Sequence, residues 1–414
     1  MKVLWFEVTV PSRYTTNNSP VAGWQDSLED IVKKSGKGIE LIIAFLGQSG
    51  FREKTVEGVR YIPIIPKYNR WNKIYSNFSN RWNTVNKIIP LALECINRVK
   101  PDLIQIFGTE SEFAQVAKYC KIPIVVHMQG SVNPYLDAEY PPRYSFLDKI
   151  LYDGLNLKIQ WYNFRGRHFN KSWRELERSN YKNVVYYMGR TAWDRKIIDI
   201  FHPNANYFHV WEALRPIFLN TTEKWKVKDK RSVPRLITVG CSSHWKGMDT
   251  LLRTAHVLKE LNFNFEWVVV GNMNSVKHYI EKKEHLCFEE NNVYINGFTD
   301  AAALLELLLS SNIYVHTAYI DNSPNSICEA QVLGLPIVAT NVGGIPTLVG
   351  EGKGAILVPS NSCYEMASAI LELCQDEDKQ KSFSKWNMTQ ALDRHNPEHI
   401  LYDLLNCYNT IIKQ

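Results

Sequence analysis

The sequence predicts two doubly wound α/β domains in tandem, each with a parallel β-sheet covered by helices on both faces. Two observations predict this fold class. Short apolar runs alternate with patterns of helical spacing along both halves of the chain, and this order is typical of a parallel sheet. The length of 414 residues is also about twice that of an ordinary domain. We place the domains at residues 1–205 and 206–396, and we expect the last helix, 397–414, to pack back on the first domain.

The first domain begins with a strand, a helix and a second strand. Val3–Val8 is a buried-strand pattern, Trp24–Lys34 has apolar residues at helical spacing, and Leu41–Phe45 is another apolar run. Helical patterns then precede two more strands, and a third strand should complete the domain. The expected helices are Val85–Val99 and Glu110–Tyr119, and the expected strands are Leu103–Phe107, Ile122–His127 and Val184–Met188.

The second domain follows a polar segment at Glu223–Pro234, which suits an exposed connection near a domain boundary. Six strands, separated by helical patterns, are expected after it. They are Leu236–Val239, Phe265–Val270, Val293–Ile295, Ile313–His316, Pro336–Ala339 and Ile356–Val358. Ligands of doubly wound folds bind at the carboxyl ends of the strands, so the residues just after each strand are the first candidates for a site.

The composition indicates a globular protein that works in the cytoplasm. Hydrophobic residues make up 45% and charged residues 22% of the chain, which argues against a disordered protein. No apolar run is long enough to span a bilayer, and the N-terminal run is too short for a signal peptide. The eight cysteines lack C-x-x-C spacing and are expected to be reduced thiols. A net charge of +6 is too mild to indicate nucleic acid binding.

The segment after the strand Ile313–His316 carries the strongest functional signal. A helix begins there, and a helix N-terminus collects backbone N–H groups and a positive dipole end that suit a diphosphate. The loop and the first turn contribute Ser323, Pro324, Asn325 and Ser326. Glu329 lies farther along the same helix, where a carboxylate can accept two hydrogen bonds from the hydroxyls of a ribose.

From Asp321 to Pro346 the chain resembles the family 4 retaining glycosyltransferases of the GT-B fold. Their signature is an acidic residue, seven residues and a Glu, then a helix of small residues, G-x-P-[VI]-[VI]-A-[ST] and GG. This chain has Asp321 where most members have Glu, and the second acid is Glu329. The resemblance implies a nucleotide-diphosphate sugar donor, with Asp321 facing the sugar and Glu329 holding the ribose. It also implies transfer with retention of configuration and no bound metal or cofactor.

Other segments of the second half fit the same family. Gly240 and Lys246 stand in a stretch that looks like V-G-R-(x)4-K-G, and Lys246 is a flexible cation suited to a phosphate. The arginine that usually follows the glycine is Cys241 here, so we consider Arg190 as a substitute second cation. The resemblance adds two loop positions to the donor site, Gly271 and Phe298.

The first half supplies candidates for the donor phosphates and for catalysis. Gly23 occupies the place of a glycine-rich loop of the family. Family members usually carry a His in the motif P-x-V-x-x-x-H-G, where this chain has Gln129. His127 lies two residues earlier, on the same face of the strand. It is either a catalytic residue facing the same cleft or a buried structural histidine.

Glu110 follows the strand Leu103–Phe107 and opens the next helix. By the strand-end rule it is a candidate for acceptor binding or for general base, and the alternative is a carboxylate that only caps the helix. The acceptor is expected to be a glycan or a lipid-linked molecule, in the synthesis of a cell-surface polysaccharide.

Two other functions stay open. A nucleotide-sugar epimerase shares the GT-B architecture and would consume its substrate with no acceptor present. A non-catalytic sugar-nucleotide-binding protein is the other possibility, because Gln129 and Cys241 depart from the family pattern. A dehydrogenase is disfavoured, since no G-x-G-x-x-G follows an opening strand.

Two segments of the first half mix aromatic and basic residues. Such faces suit a membrane interface, where rings and lipid phosphates are met together. Plain solvated surface is the alternative. The two segments extend from Lys67 to Lys87 and from Trp161 to Arg174. The sequence thus suggests contact with a membrane surface through the first domain.

Overall fold

The computed structural model describes residues 1–15, 23–67, 81–152, 156–229, 232–273 and 276–413. The chain divides into two compact units. The first unit comprises residues 1–136, 155–213 and 396–414, and the second comprises residues 137–154 and 214–395. Each unit is built on its own sheet. The predicted fold class, two doubly wound α/β domains, is confirmed.

The sheet of the first unit has eight strands in the order β3-β4-β2-β1-β5-β6-β7-β8. Neighbouring strands run parallel, except that β3 pairs antiparallel with β4 at one edge. The strands are β1 (Lys2–Glu7), β2 (Glu40–Leu46), β3 (Lys54–Val56), β4 (Val59–Ile64), β5 (Leu103–Phe107), β6 (Ile124–His127), β7 (Tyr186–Gly189) and β8 (Asn206–His209).

The sheet of the second unit has six parallel strands in the order β11-β10-β9-β12-β13-β14. The strands are β9 (Arg235–Val239), β10 (Glu266–Val270), β11 (Val293–Ile295), β12 (Ile313–His316), β13 (Ile337–Thr340) and β14 (Ala355–Val358). The carboxyl ends of β9, β10 and β12 therefore lie side by side, and their following loops share one edge of the sheet.

Helices connect the strands. Within the described ranges they are α1 (Trp24–Lys34), α2 (Arg81–Val99), α3 (Val132–Asp137), α4 (Phe146–Tyr152), α5 (Leu157–Asn183), α6 (Ala192–Phe201), α7 (Pro216–Asn220), α8 (Met248–Glu260), α9 (Lys277–Glu284), α10 (Ala301–Ser310), α11 (Asn325–Leu333), α12 (Ile345–Val349), α13 (Cys363–Gln375), α14 (Glu377–Arg394) and α15 (Pro397–Lys413). None of them combines the length and the apolar character needed to cross a bilayer.

Three elements of the first unit differ from their prediction. Val184–Met188 was expected to be the last strand, but β8 follows it and pairs with β7 at the sheet edge. The polar and aromatic residues of β8 form no apolar run, so the sequence gives no strand signal there. The β3–β4 hairpin was not predicted either. The expected helix Glu110–Tyr119 is a 3₁₀ helix, Glu112–Lys118.

The division into units differs from the predicted boundary at two places. The first unit continues beyond residue 205 to Ala213, because β8 completes its sheet. Residues 137–154 belong to the second unit, not to the first as expected. There the Tyr144 hydroxyl donates to Glu284 Oε1 at 2.7 Å, and Lys283 Nζ lies 2.7 Å from Asp148 Oδ1.

Helix α15 belongs to the first unit. Its apolar residues recur at helical spacing, and Ile400, Leu404 and Tyr408 are buried with the strands of the first sheet. Trp5 Nε1 donates to the Tyr408 hydroxyl at 3.0 Å, which ties the helix to β1. Burial of this aromatic pair makes α15 part of the core of the first unit.

Candidate functional site

The loop after β12 and the start of α11 form the centre of the candidate site in the second unit. Pro324, with φ −69° and an extended ψ of 120°, precedes the first helical residue, Asn325, and no side chain among the described residues caps this helix start. Gly334 ends the helix in the left-handed region at φ +88°. The first N–H groups of α11 are therefore presented to the carboxyl edge of the sheet, as an anion site requires.

The hydroxyls at this helix start also have defined positions. The Tyr314 hydroxyl donates to Ser326 Oγ at 2.8 Å, which fixes the Ser326 side chain from the strand below. Ser323 is buried, and its Oγ lies 4.0 Å from Cys328 Sγ. Contact of both serines with a diphosphate stays a prediction.

Asp321 lies between two partners at the end of β12. Lys246 Nζ is 2.6 Å from its Oδ2, and His316 Nε2 is 3.2 Å from the same oxygen. Burial by itself would raise the pKa of the Asp321 carboxyl, but the attraction of Lys246 and the hydrogen bond from His316 outweigh it and hold that pKa well below its usual range. Burial lowers the pKa of His316, so a neutral imidazole donates its Nε2–H to an ionised carboxylate.

Backbone contacts hold Lys246 in place. Its own carbonyl accepts a hydrogen bond from Thr317 Oγ1 at 3.0 Å, and the carbonyl of Trp245 accepts one from the Tyr319 N–H at 2.7 Å. The loop after β9 is thus joined to the loop after β12. Lys246 and Asp321, which are 75 residues apart in sequence, are brought together as the prediction of a common donor site requires.

Gly247 allows the close approach of these two loops. An ideal Cβ at this position would lie 1.9 Å from the Thr317 carbonyl oxygen, and φ is +71°. Gly343 makes a similar approach, since a Cβ there would lie 1.9 Å from the Asp321 carbonyl oxygen. A glycine is the residue that fits both the left-handed backbone and the contact.

We expect Gly247→Ala to destabilise the protein more than Gly352→Ala, although the two glycines have nearly the same φ. Gly352 has φ +67° and no heavy atom within 4 Å of an ideal Cβ. In both variants an alanine in the left-handed region lowers the free energy of unfolding by about 1 kcal/mol. Only Gly247→Ala must also displace backbone atoms, so we expect its free energy of unfolding to fall by about 3 kcal/mol in total. Urea unfolding of both variants measures the difference, and equal losses would contradict the close approach.

The remaining donor-site candidates of the second unit lie at the same edge of the sheet. Gly240 follows β9 with φ +88° and has open space around an ideal Cβ. The Gly271 N–H donates to the Gly297 carbonyl at 2.7 Å, which joins the loops after β10 and β11. Phe298, next to Gly297, exposes 64% of its surface, enough to offer a ring face to a planar base.

Glu329 is buried and forms a bidentate ion pair with Arg215. Both distances, from Arg215 Nε to Oε1 and from Arg215 Nη2 to Oε2, are 2.8 Å. Burial raises the pKa of Glu329, and the arginine offsets part of that rise. Each carboxylate oxygen keeps a second acceptor position, so contact with a ribose stays a prediction. Sequence reasoning missed Arg215, because nothing near it in the chain points to a carboxylate 114 residues away.

The first-unit candidates His127 and Arg190 are buried. His127 is fully buried, with Nε2 3.3 Å from the Val210 carbonyl and its ring edge-on to Trp24. Burial, together with repulsion from Arg190, lowers the pKa of His127 to about 3. The ring is therefore neutral, and its burial favours the structural alternative over the catalytic one.

Arg190 interacts with groups of its own unit. Its Nη2 donates to the Gln129 carbonyl at 2.7 Å, and its Nε lies 3.7 Å from Glu212 Oε2. The structure places Arg190 in the first unit and Lys246 in the second. A role for Arg190 as the second cation at the donor phosphates stays a prediction. In that role a phosphate would have to replace the contacts of Arg190 with Gln129 or Glu212. The Gln129 side chain is half-buried.

Gly23 is the residue before the first turn of α1. Its backbone is extended, with φ −73° and ψ 176°, and an ideal Cβ would meet no heavy atom within 4 Å. Contact of Gly23 with a phosphate of the donor stays a prediction. Residues 16–22, which include the neighbouring Ala22, lie outside the described residues.

Glu110 is half-buried just beyond β5. Its carboxylate lies against Gly108, where an ideal Cβ would be 2.7 Å from Oε1, and Gly108 has φ +87°. Burial, and to a lesser degree the neighbouring Glu177, raises the pKa of Glu110 to about 7. A carboxyl with a pKa near neutrality suits a general base.

A buried carboxylate, Glu177, organises the backbone around Glu110. It accepts hydrogen bonds from Thr109 Oγ1 at 2.6 Å, from the Val132 N–H at 2.7 Å and from the Asn133 N–H at 2.9 Å. Glu177 thereby joins α5 to the loop after β5 and to the start of α3. Sequence reasoning missed it, because nothing in the helical pattern distinguishes the buried Glu177 from the exposed Glu175 two residues earlier.

The match to a known protein family lies in the second unit. Residues 220–388 match the model of the family described as glycosyl transferases, group 1. This segment is similar to group 1 glycosyl transferases. It contains Lys246, Asp321, Glu329 and the whole start of α11, so the family similarity covers the donor-site candidates of the second unit but not Gly23 or Arg190.

Two curated relatives show the same similarity. An uncharacterized glycosyltransferase of Methanocaldococcus jannaschii is 26% identical over 166 residues, which cover 39% of this chain and 42% of the relative. The capsular polysaccharide biosynthesis glycosyltransferase CapM of Staphylococcus aureus is 22% identical over 171 residues, 41% of this chain and 44% of the relative. The matched segment thus spans less than half the length of these relatives.

Solved structures resemble the chain over its full length. Sucrose-phosphate synthase from Thermosynechococcus elongatus superposes with a TM-score of 0.71 at 14% identity and covers 100% of both chains. Anabaena HepE in complex with UDP superposes with a TM-score of 0.67 at 15% identity, covering 99% of this chain and 100% of that one. At this identity the likeness shows the fold, and the chain has the GT-B fold.

Proposed function

We propose that this protein is a glycosyltransferase that moves a sugar from a nucleotide-diphosphate donor to a glycan or lipid-linked acceptor, with retention of configuration, in cell-surface polysaccharide synthesis. The observation that carries the proposal is the cluster of Lys246, Asp321 and the uncapped start of α11 at one edge of the second sheet. A flexible cation and a positive helix end suit a diphosphate. The similarity of residues 220–388 to group 1 glycosyl transferases supports it.

In this proposal Lys246 exchanges partners when the donor binds. It moves from Asp321 to the diphosphate, where its charge stabilises the leaving group as the sugar bond breaks. Asp321 then accepts a hydrogen bond from a hydroxyl of the donor sugar. His316 keeps its hydrogen bond to Asp321, so it acts as a positioning residue that holds the carboxylate while Lys246 is engaged elsewhere.

The other residues of the site have supporting roles. Phe298 stacks on the base, Glu329 meets the ribose, and the Ser323 and Ser326 hydroxyls bind phosphate oxygens. Retention and the absence of a metal requirement come from the family resemblance and are proposed with it.

The proposal is tested by calorimetry with UDP and by sugar transfer assays. UDP is the first nucleotide to try, because HepE, a structural neighbour, was solved with it. We expect saturable binding without added metal, and transfer of the sugar to an acceptor. Absence of binding to any nucleoside diphosphate would overturn the proposal. Conversion of the donor sugar with no acceptor present would instead indicate an epimerase, and binding without turnover on any acceptor or on water would indicate a non-catalytic protein.

We further propose that Glu110 accepts the proton of the acceptor hydroxyl, and this role predicts a pH profile. A base must be ionised, so kcat/KM should rise as the pH increases and level off above about 7, the pKa given by the burial of Glu110. Glu110→Gln should abolish this rise and lower kcat about 10²-fold or more. Glu175→Gln, which changes an exposed glutamate of the same unit, should leave the profile intact. An unchanged profile in Glu110→Gln would exclude Glu110 as the base.

A further inference from the structure

The first half of α5 presents large apolar side chains to solvent. Single exposed apolar residues are ordinary on a protein surface, but a contiguous group marks an interaction site. Five such residues occur within eight positions of this helix. Their exposed fractions are 86% for Leu157, 39% for Ile159, 44% for Trp161, 53% for Tyr162 and 55% for Phe164. Packing in the core of the first unit therefore does not explain why large apolar side chains occur at these positions.

Helix geometry aligns part of this group in a stripe. Leu157, Trp161 and Phe164 are spaced i, i+4 and i+7, so they lie on one face of the helix. The side chain of Asn156 accepts hydrogen bonds from the N–H groups of Lys158 and Ile159 at 3.1 and 3.3 Å, which fixes the start of the helix. The second half of α5 is anchored in the core through residues such as Leu176. A fixed helix thus carries the stripe.

The charges within this stretch of the helix have one sign. No Asp or Glu occurs from Asn156 to Arg174, and that stretch contains five cations. They are Lys158, Arg165, Arg167, Lys171 and Arg174. Aromatic and aliphatic residues bordered by Lys and Arg are the features of helices that lie in a membrane interface, where rings enter the headgroup region and cations meet lipid phosphates.

We propose that the first half of α5 docks this protein on an anionic lipid surface. The Leu157–Trp161–Phe164 stripe enters the interface, and the cations beside it contact lipid phosphates. Charge argues against a second copy of this chain as the occupant, since two such surfaces would bring like charges together. The aliphatic side chains of Leu157 and Ile159 argue against nucleic acid, because they offer no ring on which a base could stack.

The test is cosedimentation of the full chain with vesicles. We expect binding to vesicles of equal parts phosphatidylcholine and phosphatidylglycerol at low salt, weaker binding as salt rises, and little binding to phosphatidylcholine alone. Trp161→Ala with Phe164→Ala should lower the partition coefficient about tenfold or more, through lost apolar burial. Lys158→Gln with Lys171→Gln should lower it about 25-fold, at about fivefold for each cation.

Matched variants of the same unit serve as controls. Tyr119 and Tyr402 expose 66% and 71% of their surface, outside α5, so Tyr119→Ala with Tyr402→Ala should bind vesicles like the parent protein. Lys121→Gln with Lys182→Gln is the control for charge, since both lysines are exposed. No binding at low salt, or equal losses in test and control variants, would overturn the proposal. So would concentration-dependent self-association without vesicles that the Trp161→Ala/Phe164→Ala variant abolishes. UDP binding measured in parallel keeps this result separate from the proposed function.

Discussion

Replacing Lys246 by methionine should lower sugar transfer about 10²–10³-fold and weaken UDP binding, because the variant removes the cation that would stabilise the leaving diphosphate. Lys385→Met is the matched control, since Lys385 is an exposed lysine of the same unit, and it should behave like the parent protein. Initial rates and calorimetry check the expectation. Parent-like affinity and turnover in Lys246→Met would remove Lys246 from the donor site.

The same variant has a consequence for stability that depends on pH. Lys246 holds the pKa of Asp321 well below its usual range, so the ion pair contributes stability that is present above the pKa of an unfolded Asp, about 4, and is lost as the pH falls. Lys246→Met should therefore reduce the free energy of unfolding by about 1–3 kcal/mol at neutral pH. The difference from the parent protein should narrow as the medium becomes acidic. A difference that is constant with pH would contradict this role of the pair.

Removing Arg215 alone should be the most destabilising change that we predict. Arg215→Met leaves the buried Glu329 carboxylate without its bidentate partner. The free energy of unfolding should therefore fall by about 3–5 kcal/mol. Replacing both members, Arg215→Met with Glu329→Leu, should recover most of that loss, because two apolar side chains leave no buried charge unpaired. Urea unfolding of the single and double variants measures the coupling. Additive losses would show that the pair does not act as a unit.

The double variant also separates stability from ribose binding. If Glu329 meets the ribose, the folded double variant should bind UDP more weakly than the parent protein does. The parent should also prefer UDP over a dideoxy analogue that lacks both ribose hydroxyls, and the double variant should not distinguish them. The same preference in both proteins would assign Glu329 to the ion pair alone.

The sequence predicted features that depend on neighbouring residues. The order of strands and helices and the helix after the strand Ile313–His316 follow from local patterns. Lys246 became a candidate through the resemblance to a family pattern. The strand-end rule also directed attention to Glu110, and burial raises its pKa in the way a general base needs.

Contacts between distant residues that no family pattern links were not predictable from one sequence. Arg215 lies 114 residues from Glu329, and Glu177 lies 68 residues from Thr109. His127 shares the strand-end position of a ligand-binding residue, yet packing against Trp24 buries it. Strand β8 is an edge strand whose polar residues carry no periodicity, so only pairing with β7 reveals it.

The placement of helix α15 bears on how the chain matures. Tyr408 completes the packing around Trp5, whereas every residue of the second unit precedes position 396. During synthesis from the N-terminus, the second unit has all of its residues before the first unit does. Until α15 has emerged from the ribosome, one face of the first sheet lacks the helix that covers its apolar side chains. These exposed side chains can then associate with other chains.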